Sequence, residues 1–410
     1  MYWAARQGIG AWYFRKSSPP DIQTAIQWDP GNPEYYDALA TLIHLYAAGG
    51  NPAEVVRLCE KATELSPYNA FYWADLGGAY EWAGRKDDAL RAFSRARSLF
   101  PNSPEINWKA ANFYIRTRRV SDGLRLLREV LLEDPGKEGQ VFHLASNATN
   151  DNQQILQEML PPDAPVLLDY LNFQVENNRM EAAAQTWASV LFLGSPFDPA
   201  RTFPYLDALI QHEDVDHLRE NWAGLSARFP QEIGARLSKP NLITNGDFGF
   251  APLNGGLDWR VIPVQGASVG VDPSTGVDGR KSLRITFDGS QNLEYAHVLQ
   301  YVPVIPNTSY KFSVYMRAQA ITTDSGPRFV LEDAYDQLAD VTRKAANPAR
   351  FSVSTENVTG TSDWSPHQLE FNTSGRTRLL MVKLARPASH KFDNKLAGTI
   401  WIARVTLLPK

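Results

Sequence analysis

Apolar residues recur at intervals of three and four through the first 230 positions of the chain, and every second position through much of the remainder. The first spacing is the stripe of an amphipathic helix and the second the inward face of a half-buried strand. In the helical part Pro67, Pro101 and Pro135 stand 34 residues apart, each closing a helical stretch. Proline lacks the amide hydrogen that a helix interior needs, so each marks a boundary. Beyond Pro135 the period decays, yet helical spacing returns in Val166–Asn177 with Met180–Leu193, and in Pro204–Gln211 with Val215–Phe229. Six or seven helical pairs are expected in all.

The pattern changes near Pro240, because a residue preceding proline is pushed out of the helical basin. Tyr310, Phe312, Val314 and Met316 then alternate with Lys311, Ser313, Tyr315 and Arg317. Further strands are expected at Leu283–Phe287, Tyr295–Val304, Arg328–Glu332, His367–Phe371, Leu380–Leu384 and Thr399–Leu408, with one short helix around Ala339–Ala346. Eight or so antiparallel strands without intervening helices predict a two-sheet β-sandwich, most simply a jelly roll. The expected organisation is a helical solenoid over 1–232, a linker over 233–240 and a sandwich over 241–410.

Between Ala70 and Pro101, the residues Trp73, Leu76, Gly77, Tyr80, Gly84, Ala89, Phe93, Ala96 and Pro101 fall on a W-x-x-L-G-x-x-Y pattern with small residues and a closing proline. This stretch resembles the tetratricopeptide repeat family. Small residues at Gly77, Ala89 and Ala96 let two helices approach closely, and the aromatic and leucine side chains fill the space between pairs. The next copy has Asn107 at the aromatic position. The resemblance implies a concave groove for a protein or peptide partner, lined by Phe71, Asp75 and Trp82 in one repeat and Trp108, Asn112 and Arg116 in the next. Trp82 and Trp108 could instead pack between repeats. The Lys and Asn pairs with which some relatives clamp a terminal carboxylate are replaced by Ala74/Gly78 and Asp37/Thr41, which disfavours such a ligand.

In the alternating part, Asn241–Phe248, Trp259, Gly279–Ile285, Tyr310–Arg317 and Gly398–Leu407 together resemble carbohydrate-binding modules of the galactose-binding-like jelly-roll type. Such modules stack flat aromatic rings on sugar faces and bind hydroxyls with planar polar groups. The residues expected to do so are Tyr295, His297 and Tyr301 on one strand, Tyr315 and Arg317 on another, and Trp364 in a loop beside them. The competing reading is a scaffold whose sandwich binds no sugar and packs these side chains against residues 200–240. Related modules often hold a structural calcium with an acid after the opening motif and another early in the last strand. Gly249 and Ala403 stand there, so no metal is expected, and Asp247 is left to accept hydrogen bonds in the opening turn.

Composition narrows the function further. The chain has 410 residues, 21% charged, with a formal net charge of −4, which gives no nucleic-acid footprint. The surplus is acidic in the helical part, mild enough that no strong steering field results. The single cysteine, Cys59, excludes an intramolecular disulfide and a thiol metal site. No stretch is apolar for the length of a membrane span. Met1 begins abruptly inside helical spacing, which leaves open an upstream anchor or signal and a periplasmic or cell-envelope location. No nucleophile elbow, phosphate loop or zinc-protease spacing occurs, and Glu332, Asp333 and Asp336 are isolated acids of a kind any sandwich edge carries. The expected function is a non-catalytic adaptor without cofactors, holding a protein partner and a polysaccharide.

Overall fold

The computed structural model describes residues 2–46, 51–335, 351–392 and 394–410. The short helix expected at 339–346, and Asp336, lie outside them. Two compact units result, Met1–Ser195 and Pro196–Lys410.

Among the described residues the first unit has twelve α-helices: α1 Tyr2–Phe14, α2 Pro19–Trp28, α3 Pro33–Tyr46, α4 Pro52–Leu65, α5 Ala70–Trp82, α6 Lys86–Leu99, α7 Pro104–Arg116, α8 Val120–Glu133, α9 Glu138–Ala148, α10 Asn152–Glu158, α11 Ala164–Glu176 and α12 Met180–Leu193. They pack as consecutive pairs, with α5 on α6 and α7 on α8 among the most extensive contacts. The pair α9 and α10 has no clear counterpart in the sequence pattern. Prolines occupy the first turns of α2, α4 and α7, where a missing amide hydrogen costs nothing.

Two local devices repeat even where the motif residues do not. Gly84, Arg118 and Asn178 each take a left-handed conformation between the helices of a pair. The following residue then donates five positions back: Arg85 to Tyr80, Arg119 to Tyr114 and Arg179 to Gln174, at 2.8–2.9 Å. This ends the first helix by satisfying its last carbonyls. The second device ties α5 and α7 to the preceding proline. The Trp73 indole donates to the Pro67 carbonyl at 2.9 Å, and 34 residues later the Asn107 amide donates to Pro101 at 2.8 Å. Asn107 therefore does the hydrogen-bonding work of the tryptophan it replaces.

The second unit begins with α13 Phe203–Gln211 and α14 Val215–Arg228, the helical hairpin that the sequence pattern assigns to the solenoid. Glu213 takes the same left-handed turn, with Asp214 donating to Leu209. The hairpin is seated on the loop before the first strand. A methyl on Gly255 would lie 2.2 Å from the Phe203 ring, and one on Gly256, at φ +56, would lie 2.3 Å from Trp222. Only glycine allows that approach. The buried pair Arg236–Asp258, at 2.8 Å, fixes the same loop.

Among the described residues ten strands follow: β1 Arg260–Val261, β2 Ala267–Asp272, β3 Ser282–Asp288, β4 Tyr295–Pro303, β5 Ser309–Ile321, β6 Arg328–Asp333, β7 Ser352–Ser354, β8 Gly360–Asn372, β9 Leu379–Arg386 and β10 Ala397–Pro409. They form two antiparallel five-stranded sheets, ordered β1-β4-β9-β6-β7 and β2-β3-β10-β5-β8. Between them lies one core that includes Phe248, Trp259, Phe312, Phe329, Val382 and Ile400. Trp259 is fully buried against Phe248 and donates its indole hydrogen to the Asn245 carbonyl. The chain thus joins a helical repeat array to a β-sandwich.

Candidate functional site

In the first unit, α3, α5 and α7 line a cavity of about 500 Å³. Its wall includes Thr41, His44, Asp75, Gly78, Glu81, Trp108, Lys109, Asn112 and Arg116. Four of the six expected groove residues, Asp75, Trp108, Asn112 and Arg116, are therefore brought together. Phe71 and Trp82 lie outside the lining: Phe71 packs edge-on against Phe100, and Trp82 edge-on against His44. Spacing along α5 places both on the outward face, but the rings they meet come from elsewhere in the chain, His44 from α3 and Phe100 from just past α6.

The charges of the cavity are cross-linked between repeats. Lys109 bonds Asp75 at 2.7 Å and Glu105 at 3.0 Å, and Arg116 forms a bidentate pair with Glu81 at 2.7 and 2.8 Å. The Asn112 amide donates to the Trp108 carbonyl. Asp37 stands one turn before Thr41 on α3. Burial pushes its carboxyl up to about 7, with the Asp75 charge adding to the effect. Cys59, also on the wall, has its thiol pushed up by burial, which makes it inert rather than nucleophilic.

The six side chains expected to bind a glycan do not share one surface. Tyr295, His297 and Tyr301 belong to β4 in one sheet, whereas Tyr315, Arg317 and Trp364 belong to β5 and β8 in the other. Tyr295 must be withdrawn from any open surface: it is 1% exposed and packs edge-on against Phe287 in the core. The reason is a register shift in β4 between Tyr295 and Val298, which turns Tyr295 to the inner face while His297 and Tyr301 stay outside. Tyr301 is half-buried beneath the Arg260 guanidinium, 5.4 Å from the ring centroid, and Arg260 pairs with Asp207 of α13 at 3.1 Å. Trp364 lies within β8, not in a loop.

The second sheet keeps a more open face. Tyr315 and Arg317 point away from Val314 and Met316, which are buried. Arg317 is opposite Trp401 in the ladder and lies 5.5 Å from its ring centroid, while Arg404 lies 5.9 Å from the ring of Tyr315. Trp401 donates to Asp272 at 2.9 Å, and this bond holds the Asp272 carboxyl well below the usual carboxylate range. Trp401 and Arg404 are absent from the sequence-based site. Alternation sets Trp401 on the face opposite Ile400 and Ile402, where it is nonetheless buried, but Arg404 sits in a bulge at φ +51 that no periodicity reveals. In the opening turn the Gly249 amide donates to Asp247.

Residues 83–148 match the family model described as tetratricopeptide repeat. Comparison with curated proteins finds no match. Among solved structures, the MamA protein is 15% identical, with 48% of this chain and 98% of that one covered and a TM-score of 0.33. A family 16 carbohydrate-binding module is 20% identical, covering 41% of this chain and 99% of that one at a TM-score of 0.29. The enzymatically active domain of a bacteriophage CBA120 tailspike is 9% identical over 42% of this chain, which spans 21% of the tailspike, at a TM-score of 0.29. None of these three scores is high enough to bear on function.

Proposed function

We propose that this chain is a non-catalytic adaptor whose helical cavity holds a segment of a protein partner and whose sandwich holds a glycan, in the cell envelope or polysaccharide apparatus of a bacterium. The observation that carries the protein-binding half is the cavity between α3, α5 and α7, formed by three successive repeats and carrying both charge and the Trp108 ring. A volume of this order suits a few side chains of an inserted segment. For the glycan half, support comes from the face of Tyr315, Arg317 and Trp364, where aromatic rings adjoin guanidinium groups and Trp401 is buried beside Arg317. Tyr295 is dropped from that surface and Tyr301 is left out, its ring being engaged by Arg260.

The test is a pull-down from bacterial lysate and a glycan array, each with the full chain and with Trp108→Ala and Tyr315→Ala. A protein lost specifically with Trp108→Ala and a glycan lost specifically with Tyr315→Ala are the expected results. Glycan binding that survives Tyr315→Ala removes the sheet face from the reading.

A structural sandwich that binds no sugar is the second reading. What favours it is that two of the three β4 residues are used internally, Tyr295 in the core and Tyr301 under Arg260. An array with no hit leaves that reading in place.

A further inference from the structure

Gly84, Arg118 and Asn178 mark equivalent turns in three helical pairs, and two of those turns are closed by the same side chains. The arginine that follows, Arg85 or Arg119, donates to the aspartate three positions on, Asp88 at 2.7 Å or Asp122 at 2.8 Å. Each guanidinium also lies over the tyrosine five positions back, 4.3 Å from the Tyr80 ring centroid and 4.7 Å from that of Tyr114. In the third pair the arginine stays and both partners go. Arg179 follows Asn178, but Ala182 stands at the aspartate position and Gln174 at the tyrosine position. Among the described residues the half-buried Arg179 side chain has no ion pair and no hydrogen bond.

A cavity of about 560 Å³ lies where those partners are missing, between α10, α11 and α12, and Gln174, Arg179 and Ala182 all line it. Asn152 braces its wall: the Asn152 amide donates to the Ala182 carbonyl at 3.2 Å and to Gln185 at 3.1 Å, while its carbonyl accepts from the Tyr170 hydroxyl at 3.0 Å. Gln174 is 1% exposed, and its Oε1 has no donor. The first turn of α12 lines the cavity too and has no side-chain cap, so its backbone amides add to the positive charge of Arg179. Two acids complete the wall, Asp151, which caps α10, and Glu181, and neither pairs with Arg179.

We infer that this cavity binds a free α-amino acid, whose carboxylate takes on Arg179 the place of the aspartate that the other two turns carry. An unmatched guanidinium in a polar cavity selects a carboxylate through its planar fork of donors. The volume is that of a small-molecule site. A plain anion would meet a wall with one cation and two acids. A zwitterion sets its carboxylate on Arg179 and its ammonium toward Asp151 and Glu181, so both signs are matched. The site shares no residue with the cavity between α3, α5 and α7, so the inference goes beyond the adaptor reading and either can fail alone.

The common amino acids are screened at millimolar concentration for a rise in the melting temperature of the full chain, and those that raise it are titrated by calorimetry. The expected result is one-to-one binding of an amino acid, lost in its methyl ester, which has no carboxylate, and in its N-acetyl derivative, which has no ammonium. Ala182→Asp restores the internal partner, and an acid in the first turn of a helix suits the dipole, so the variant should stay folded. Its affinity for the amino acid should fall about tenfold or more, the worth of a hydrogen-bonded charge. Arg179→Gln should lose as much, and Trp108→Ala should bind as the parent chain does. Binding that survives either Ala182→Asp or Arg179→Gln overturns the site. Propionate, the ester or the N-acetyl derivative binding as tightly as the amino acid overturns the zwitterion. No binding of any amino acid overturns the inference and leaves the adaptor reading standing.

Discussion

Gly77 and Gly78 are neighbours in α5 with opposite surroundings, and alanine at each measures how closely the helices of a repeat pack. A Cβ at Gly77 would lie 2.9–3.0 Å from three ring carbons of Phe93 on α6, whereas one at Gly78 meets nothing within 4 Å. Ordinary carbon contacts are about 3.5–4.0 Å, so the methyl at 77 overlaps the ring by roughly 0.5–1 Å. The ring has little room to retreat, being 2% exposed and 5.2 Å from the Phe113 ring of the next repeat. Overpacking of this kind costs about 1–3 kcal/mol. Replacing a helical glycine by alanine returns up to about 1 kcal/mol at either site. Gly78→Ala should therefore stabilise the helical unit by up to about 1 kcal/mol, and Gly77→Ala should be neutral to about 2 kcal/mol destabilising. Since the propensity term is common to both, their difference is the packing term alone. At about 2–4 °C per kcal/mol for a unit of this size, the two variants should melt roughly 2–12 °C apart by calorimetry. A Gly77→Ala protein that melts at or above Gly78→Ala would refute the close approach of α5 and α6.

Three further outcomes are expected. Trp73→Ala removes a ring packed on the core around Leu76 and its bond to Pro67, and should cost about 3–5 kcal/mol; Trp82→Ala, at a 36% exposed ring, should cost much less, so coincident melts would count against the repeat register. Asp37 keeps in the folded state a proton that the unfolded chain releases above pH 3.8, so stability of the helical unit falls as pH rises from about 4 through about 7. Asp37→Asn should thus gain on the parent chain by up to a few kcal/mol at pH 8 relative to pH 4, and a pH-independent difference would show that the carboxyl is not perturbed. Calcium added to the chelator-stripped protein should leave its melting temperature unchanged; a rise of several degrees would mean that carboxylates other than Asp247 assemble a site.

The repeat array was legible in the sequence because its contacts are local. Each helix packs on the next, the turn at Gly84 returns at Arg118, and the proline tie of Trp73 returns at Asn107, so the 34-residue period itself encodes the geometry. Strand positions were legible for a similar reason, since the alternation at 310–317 needs only a core on one side. Which strands are neighbours depends on pairings between residues about a hundred positions apart, such as Ile400 with Ile285 and Leu384 with Val298. That is why the aromatic residues of β4 and β5 looked like one surface and belong to two sheets. A single register shift turned Tyr295 into the core, and the bulge at Arg404 brought a guanidinium to Tyr315. Sequence alone determined most of the elements and the inward face of most of those, though not α9, α10, β1, β2 or β7; the tertiary structure decided which side chains meet, because register and bulges are set by the whole sheet and not by any one strand.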